Sequence, residues 1–99
     1  MSFHAQDITV RICRAVKAFG YALPEVGQST EVERWLDISK ALTLRNHWGM
    51  AAAVREYADG LHFLDLAMEG PPGSDRRIDG IAMADIWFAR ASVYLRAAS

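Results

Sequence analysis

A chain of 99 residues with 52% hydrophobic and 23% charged side chains is long enough for one packed core and too apolar to remain disordered. Its formal net charge of −1 at pH 7 supplies no field to draw it onto nucleic acid or an anionic membrane, and residues 30–69, with four basic and seven acidic side chains, form the acidic part. Cys13 stands alone, which excludes an intrachain disulfide, and no run approaches the ~20 apolar residues of a membrane span, so the expected setting is the cytoplasm.

Near the N-terminus, Ile8, Ile12, Ala15, Phe19 and Ala22 recur at steps of four and three, with Val16 and Leu23 widening the stripe. That spacing predicts a first helix, with Asp7 at its start, where a carboxylate meets the positive end of the dipole. Arg11, Arg14 and Lys17 line its other side, and Pro24 is expected to end it. Thr30 followed by Glu33 fits a capping box and predicts the start of a second helix, whose apolar side is Val32, Trp35, Leu36, Ser39 and Leu42. Neither glycine nor proline marks the join around Thr43 to Asn46, so a short turn and a kinked continuous helix both fit.

The stretch from Asn46 to Glu69 carries the strongest periodicity. Met50, Val54, Tyr57, Leu61, Leu64 and Met68 alternate steps of four and three, the rhythm of a helix packing along one seam. Ala53, Gly60 and Ala67 stand in a row beside it, small enough to admit a close neighbour. The run Gly70-Pro71-Pro72-Gly73 stops this helix, and Ser74 or Asp75 is placed to cap a fourth. The fourth helix has two apolar faces. A broad one comprises Ile81, Ala84, Trp87, Phe88, Ala91, Tyr94 and Leu95, and a narrower one comprises Ala82, Ile86, Ala89 and Val93. A helix apolar on two sides is expected to be covered on two sides, which in so small a domain suggests a second copy of the chain.

With no period-two alternation anywhere, the sequence reads as a single all-α, four-helix domain over residues 1–99, with helices at about 7–23, 30–43, 46–69 and 75–97, assembled as a homodimer.

Motifs for chemistry are weak by comparison. Asp59 and His62 share a helix face at i, i+3, but the second such pair that a carboxylate-bridged metal site needs is missing, and His4, Cys13 and His47 do not supply it by spacing. Cys13 lies at the edge of an apolar stripe, where a thiol behaves as a small hydrophobe. The third helix offers Arg55 against Glu56, Asp59 and Asp65, a poor recognition helix for DNA, so nucleic-acid binding is not expected. The sequence thus predicts no enzyme, no metal and no cofactor. Its excess of apolar material, Trp87, Phe88, Tyr94 and Leu95 on the fourth helix and Trp48, Phe63 and Leu66 on the back of the third, points to contact with itself or with another protein. By analogy with other small helical proteins that mask a partner, the expected role is regulatory or inhibitory, antiactivator-like, and directed at a protein such as a transcriptional regulator. The alternative is a small metal- or ligand-binding bundle built from His62, Asp59 or Cys13.

Overall fold

Gly20, with φ +92°, ends the first helix four residues before Pro24. The amide of Tyr21 donates to Val16 O (3.2 Å) and that of Gly20 to Lys17 O (2.9 Å), the bond pair of a Schellman motif, in which glycine takes the left-handed position at no steric cost. The computed structural model describes residues 3–98, with side chains from Ala5 onward. Within them α1 spans Phe3–Ala18, α2 Glu31–Leu44, α3 Trp48–Met68 and α4 Asp75–Ala98, and no strand is present among the described residues. The four helices are those expected, but α1 begins and ends earlier. Asp7 therefore lies inside α1, 3.5 Å from Arg11, and does not cap it.

The join left open by the sequence is a break. His47 N donates to Leu42 O (2.9 Å) and Asn46 N to Thr43 O (3.0 Å), which repeats the Schellman pattern with Asn46 at φ +64°. Asparagine is the side chain besides glycine that most readily visits this region. The Thr30–Glu33 capping box does not form, for Thr30 makes no side-chain cap bond. Its neighbour Glu31 takes over. One carboxylate oxygen accepts from Gly27 N (3.0 Å), tying the loop down, and the other accepts from the buried indole Nε1 of Trp35 (3.3 Å). Ser74 does cap α4, accepting from Arg77 N at 3.3 Å.

α3 is the hub. Tyr57, 2% exposed, touches all three other helices. Its ring meets Trp35 of α2 edge-on at 5.1 Å and Phe88 of α4 at 5.7 Å, and its hydroxyl shares a 3.0 Å hydrogen bond with Thr9 of α1. Ser39 of α2 donates to Ala51 O at 2.7 Å, and Phe19 at the end of α1 meets His47 at 4.8 Å, so α1 and α2 both run antiparallel to α3. The core against them is Ala5, Ile8, Ile12 and Val16 from α1, Trp35, Ile38 and Leu42 from α2, and Met50, Val54 and Tyr57 from α3.

α4 returns along α3 at close range. A Cβ on Gly60 would lie 2.5 Å from Phe88 Cε1, one on Gly80 2.5 Å from Ala67 Cβ, and one on Gly49 3.2 Å from Ala98 Cβ. These three approaches fix an antiparallel register, and they explain the small-residue row: Gly60 receives the Phe88 ring, and Ala67 receives the backbone of α4 at Gly80. The pair extends the molecule to 42 Å along its long axis, against 25 and 18 Å across. α1 and α2 cover only part of it. Met68 at the far end of the α3 seam is accordingly 49% exposed. None of the helices among the described residues is long and apolar enough to cross a membrane.

Candidate partner-binding groove

α2 and α4 both pack on α3 but do not reach each other, and the space between them is a groove of about 1020 Å³. Ala51 and Ala52 of α3 form its small-residue floor, Leu36, Thr43 and Leu44 belong to the α2 wall, and Trp87 and Arg90 make the α4 wall. Trp48 stands at one end with 64% of its surface exposed, the most exposed tryptophan, tyrosine or phenylalanine among the described residues.

Charge enters the groove from both signs. Lys40, Arg55 and Arg90 line it together with Glu56 and Asp59. Glu56 is the notable member because it is only 9% exposed. Its Oε1 accepts from an Arg90 guanidinium nitrogen at 3.0 Å, and the same guanidinium lies over the Trp87 ring, 4.7 Å from its centroid. Glu56 Oε2 and Trp87 Nε1 are both buried and have no hydrogen-bond partner among the described residues. A buried carboxylate oxygen and a buried indole N–H left unpaired each carry a desolvation cost of about 1–3 kcal/mol. Arg90 joins the two residues, its guanidinium bonded to the Glu56 carboxylate and lying over the Trp87 ring.

The residues named from the sequence do not form one patch. Trp48 and Trp87 come together on the groove. Phe63 supports Trp87 from behind, its ring parallel to the indole within 3° and 6.1 Å away, while the half-buried Leu66 lies off the groove lining. Phe88 and Leu95, at 1% and 7% exposure, belong to the core, so they are withdrawn from any surface patch. The reason is the α3 row of small residues, which draws the broad face of α4 inward. Tyr94, at 38% exposure, is not among the residues that line the groove. The narrower face holds the exposed positions instead, with Ile86 and Val93 both more than half exposed.

Sequence reasoning missed Glu56, Arg90, Lys40 and Leu36 as groove residues. A signal was present for the first: Glu56 falls between Ala53 and Gly60 at steps of three and four, so it lies on the inward row of α3, an unusual address for a carboxylate.

Among the described residues no three His, Cys, Asp or Glu side chains come together to hold a metal ion, and the side chain of His4 lies outside them. Burial and then the Glu31 charge push the Cys13 thiol up, the opposite of an activated thiolate. In comparisons with known proteins, no family model, curated protein or solved structure matches this chain.

Proposed function

We propose that this protein is a non-catalytic protein–protein interaction module that works as a homodimer and sequesters a helical segment of a partner protein in the α2–α3–α4 groove. In this reading it is a small regulatory inhibitor of the antiactivator kind, and a transcriptional regulator is the class of partner it suits. The observation that supports it is the open groove between α2 and α4, whose lining joins the exposed Trp48 to Leu36, Leu44 and Trp87.

The occupant follows from the groove's shape and chemistry. Two walls of helix over a floor of Ala51 and Ala52 leave room for a further helix to pack at ordinary helix–helix distance. Such a segment would set apolar residues against Leu36, Leu44 and Trp48. Sequestration then needs no chemistry from the inhibitor, because occupying an amphipathic helix removes the surface by which the partner assembles.

The test is capture from native extract with a photo-crosslinking residue placed at Leu44. A protein cross-linked through one amphipathic helical segment is expected, and Trp48→Ala should weaken its binding by roughly tenfold or more, as for an interfacial tryptophan anchor. Circular dichroism would confirm that Trp48→Ala keeps its helices. A partner bound equally by Trp48→Ala would remove the groove from the reading, and a bait that retains no specific protein would sink the function itself.

A further inference from the structure

The outer face of α4 carries a continuous apolar stripe: Ile78, Ala82, Ile86, Ala89, Val93 and Ala97, spaced at four, four, three, four and four residues. These positions lie opposite the buried Ala84, Phe88, Ala91 and Leu95, so the stripe faces away from the rest of the molecule. Ile78, Ile86 and Val93 are 57%, 55% and 57% exposed. Three β-branched side chains in line on one helix is a concentration of apolar surface that a solvated face does not require.

We propose that this stripe pairs with the same stripe of a second copy, antiparallel, about a two-fold axis between residues 87 and 88. The inference rests on the homodimer reading above and specifies its face and register. The two stripes are complementary in this register. In this register Ile78 faces Ala97, Ala82 faces Val93, and Ile86 faces Ala89, each pair occurring twice by symmetry. Every branched side chain meets an alanine, so the helices pack evenly along the whole contact, knobs filling the space that small residues leave. The same register places Asp79 of one copy beside Arg96 of the other at both ends of the contact, opposite charges across the interface. Antiparallel helix dipoles also attract.

A parallel in-register dimer fails on each count. It sets Ile86 on Ile86 and Val93 on Val93 with alanine on alanine between them, leaving alternate bulges and gaps, and it brings Asp79 to Asp79 and Arg96 to Arg96. The groove with its Trp87 and Arg90 wall lies on another side of α4, so pairing through the stripe leaves it open to a partner. One stripe per copy is a small contact, at or below the roughly 1,200 Å² lower bound of standard interfaces, and it implies a dimer that dissociates in the micromolar range.

Two measurements decide it. Light scattering or sedimentation over a concentration series should rise to a mass twice 11.0 kDa, and Ile86→Glu should hold the protein as a monomer with unchanged helix content, because its side chain is more than half exposed. Register is read by oxidation in a Cys13→Ser background. The double variant Ala82→Cys with Val93→Cys should form a covalent dimer, and Val93→Cys alone should not. A protein that stays monomeric up to roughly a hundred micromolar, well above the range a contact of this size allows, overturns both the dimer and the register. A dimer that Ile86→Glu leaves intact keeps the homodimer but overturns the α4 stripe as its interface. A dimer in which Val93→Cys alone cross-links keeps the homodimer and overturns the antiparallel register.

Discussion

The ring of Phe88 occupies the space that a side chain at Gly60 would need, with Cε1 and Cδ1 at 2.5 and 2.6 Å from the Cβ position. The α3–α4 hairpin is built on this approach and on that of Gly80 to Ala67, where a Cβ would meet the Ala67 Cβ at 2.5 Å and its Cα at 2.9 Å. Replacing glycine by alanine inside a helix ordinarily gains about 1 kcal/mol in propensity. Here overpacking of roughly 1–3 kcal/mol should outweigh that gain. Gly60→Ala and Gly80→Ala are therefore expected to destabilise, Gly80→Ala more strongly because backbone rather than a ring blocks it. Gly49→Ala, where the nearest atom is the Ala98 Cβ at 3.2 Å and a shift of a few tenths of an ångström makes room, should be neutral or stabilising. Urea unfolding followed by circular dichroism measures all three. Equal stabilisation by all three would show that the helices are not held at this distance.

The α2–α3 break rests on Asn46 at φ +64°. Glycine adopts that conformation freely, whereas an ordinary L-residue loses roughly 1–2 kcal/mol there. Asn46→Gly is expected to leave the melting temperature unchanged or raise it slightly, and Asn46→Ala to lower it by an amount corresponding to about 1 kcal/mol. An Asn46→Ala protein as stable as the parent would indicate that α2 and α3 can fuse through residues 45–47.

These two cases also mark what could be read from the residues. The seam from Met50 to Tyr57 and the small row at Gly60 and Ala67 were legible, since both are periodic and the period is fixed by helix geometry. The break at Asn46 was legible in principle, but one asparagine is a fainter mark than a glycine. Glu31 and Glu33 compete for the same role at the start of α2, and only the position of the Gly27 amide and the Trp35 indole selects Glu31. The two apolar faces of α4 were both visible, yet periodicity does not rank them. Which one turns inward depends on where Gly60 accepts Phe88, a meeting of residues far apart in the chain. The groove was not legible at all, because it consists of two helices failing to meet.

Arg90 and Glu56 should respond unequally to truncation. The Glu56 side chain is 12% exposed and that of Arg90 is 51% exposed. Removing the arginine leaves a buried carboxylate with both oxygens unmet, and Arg90→Ala is expected to cost about 1–3 kcal/mol. Removing both partners, as in Glu56→Leu with Arg90→Ala, should come close to the parent stability, since no charge is then buried unpaired. A double-mutant cycle by urea unfolding measures the difference. If the double variant were the least stable of the set, the ion pair would itself be holding α3 to α4.

Tyr57 should make the fold sensitive to alkali. Burial among Trp35, Phe88 and α1 pushes its phenol up from 10.0 to about 12. The folded state thus keeps a proton that the unfolded chain gives up near pH 10, so folding is favoured fully below that value. As pH climbs from about 10 to about 12 the unfolded state loses protons first, and stability falls; above about 12 both states are ionised and the loss stops growing. Two units correspond to roughly 2–3 kcal/mol over the whole window at 1.36 kcal/mol per unit. Stability against urea measured at intervals from pH 9 to 12 should show this decline, and Tyr57→Phe should flatten that part of the profile, at some cost in stability at neutral pH from the lost bond to Thr9. Tyrosinate absorbance read in the folded protein should include one group that ionises only as the helical signal collapses, and that group should be missing from Tyr57→Phe. A profile with the same alkaline slope in both proteins would mean that the phenol at the centre of the bundle is reached by water in the folded state.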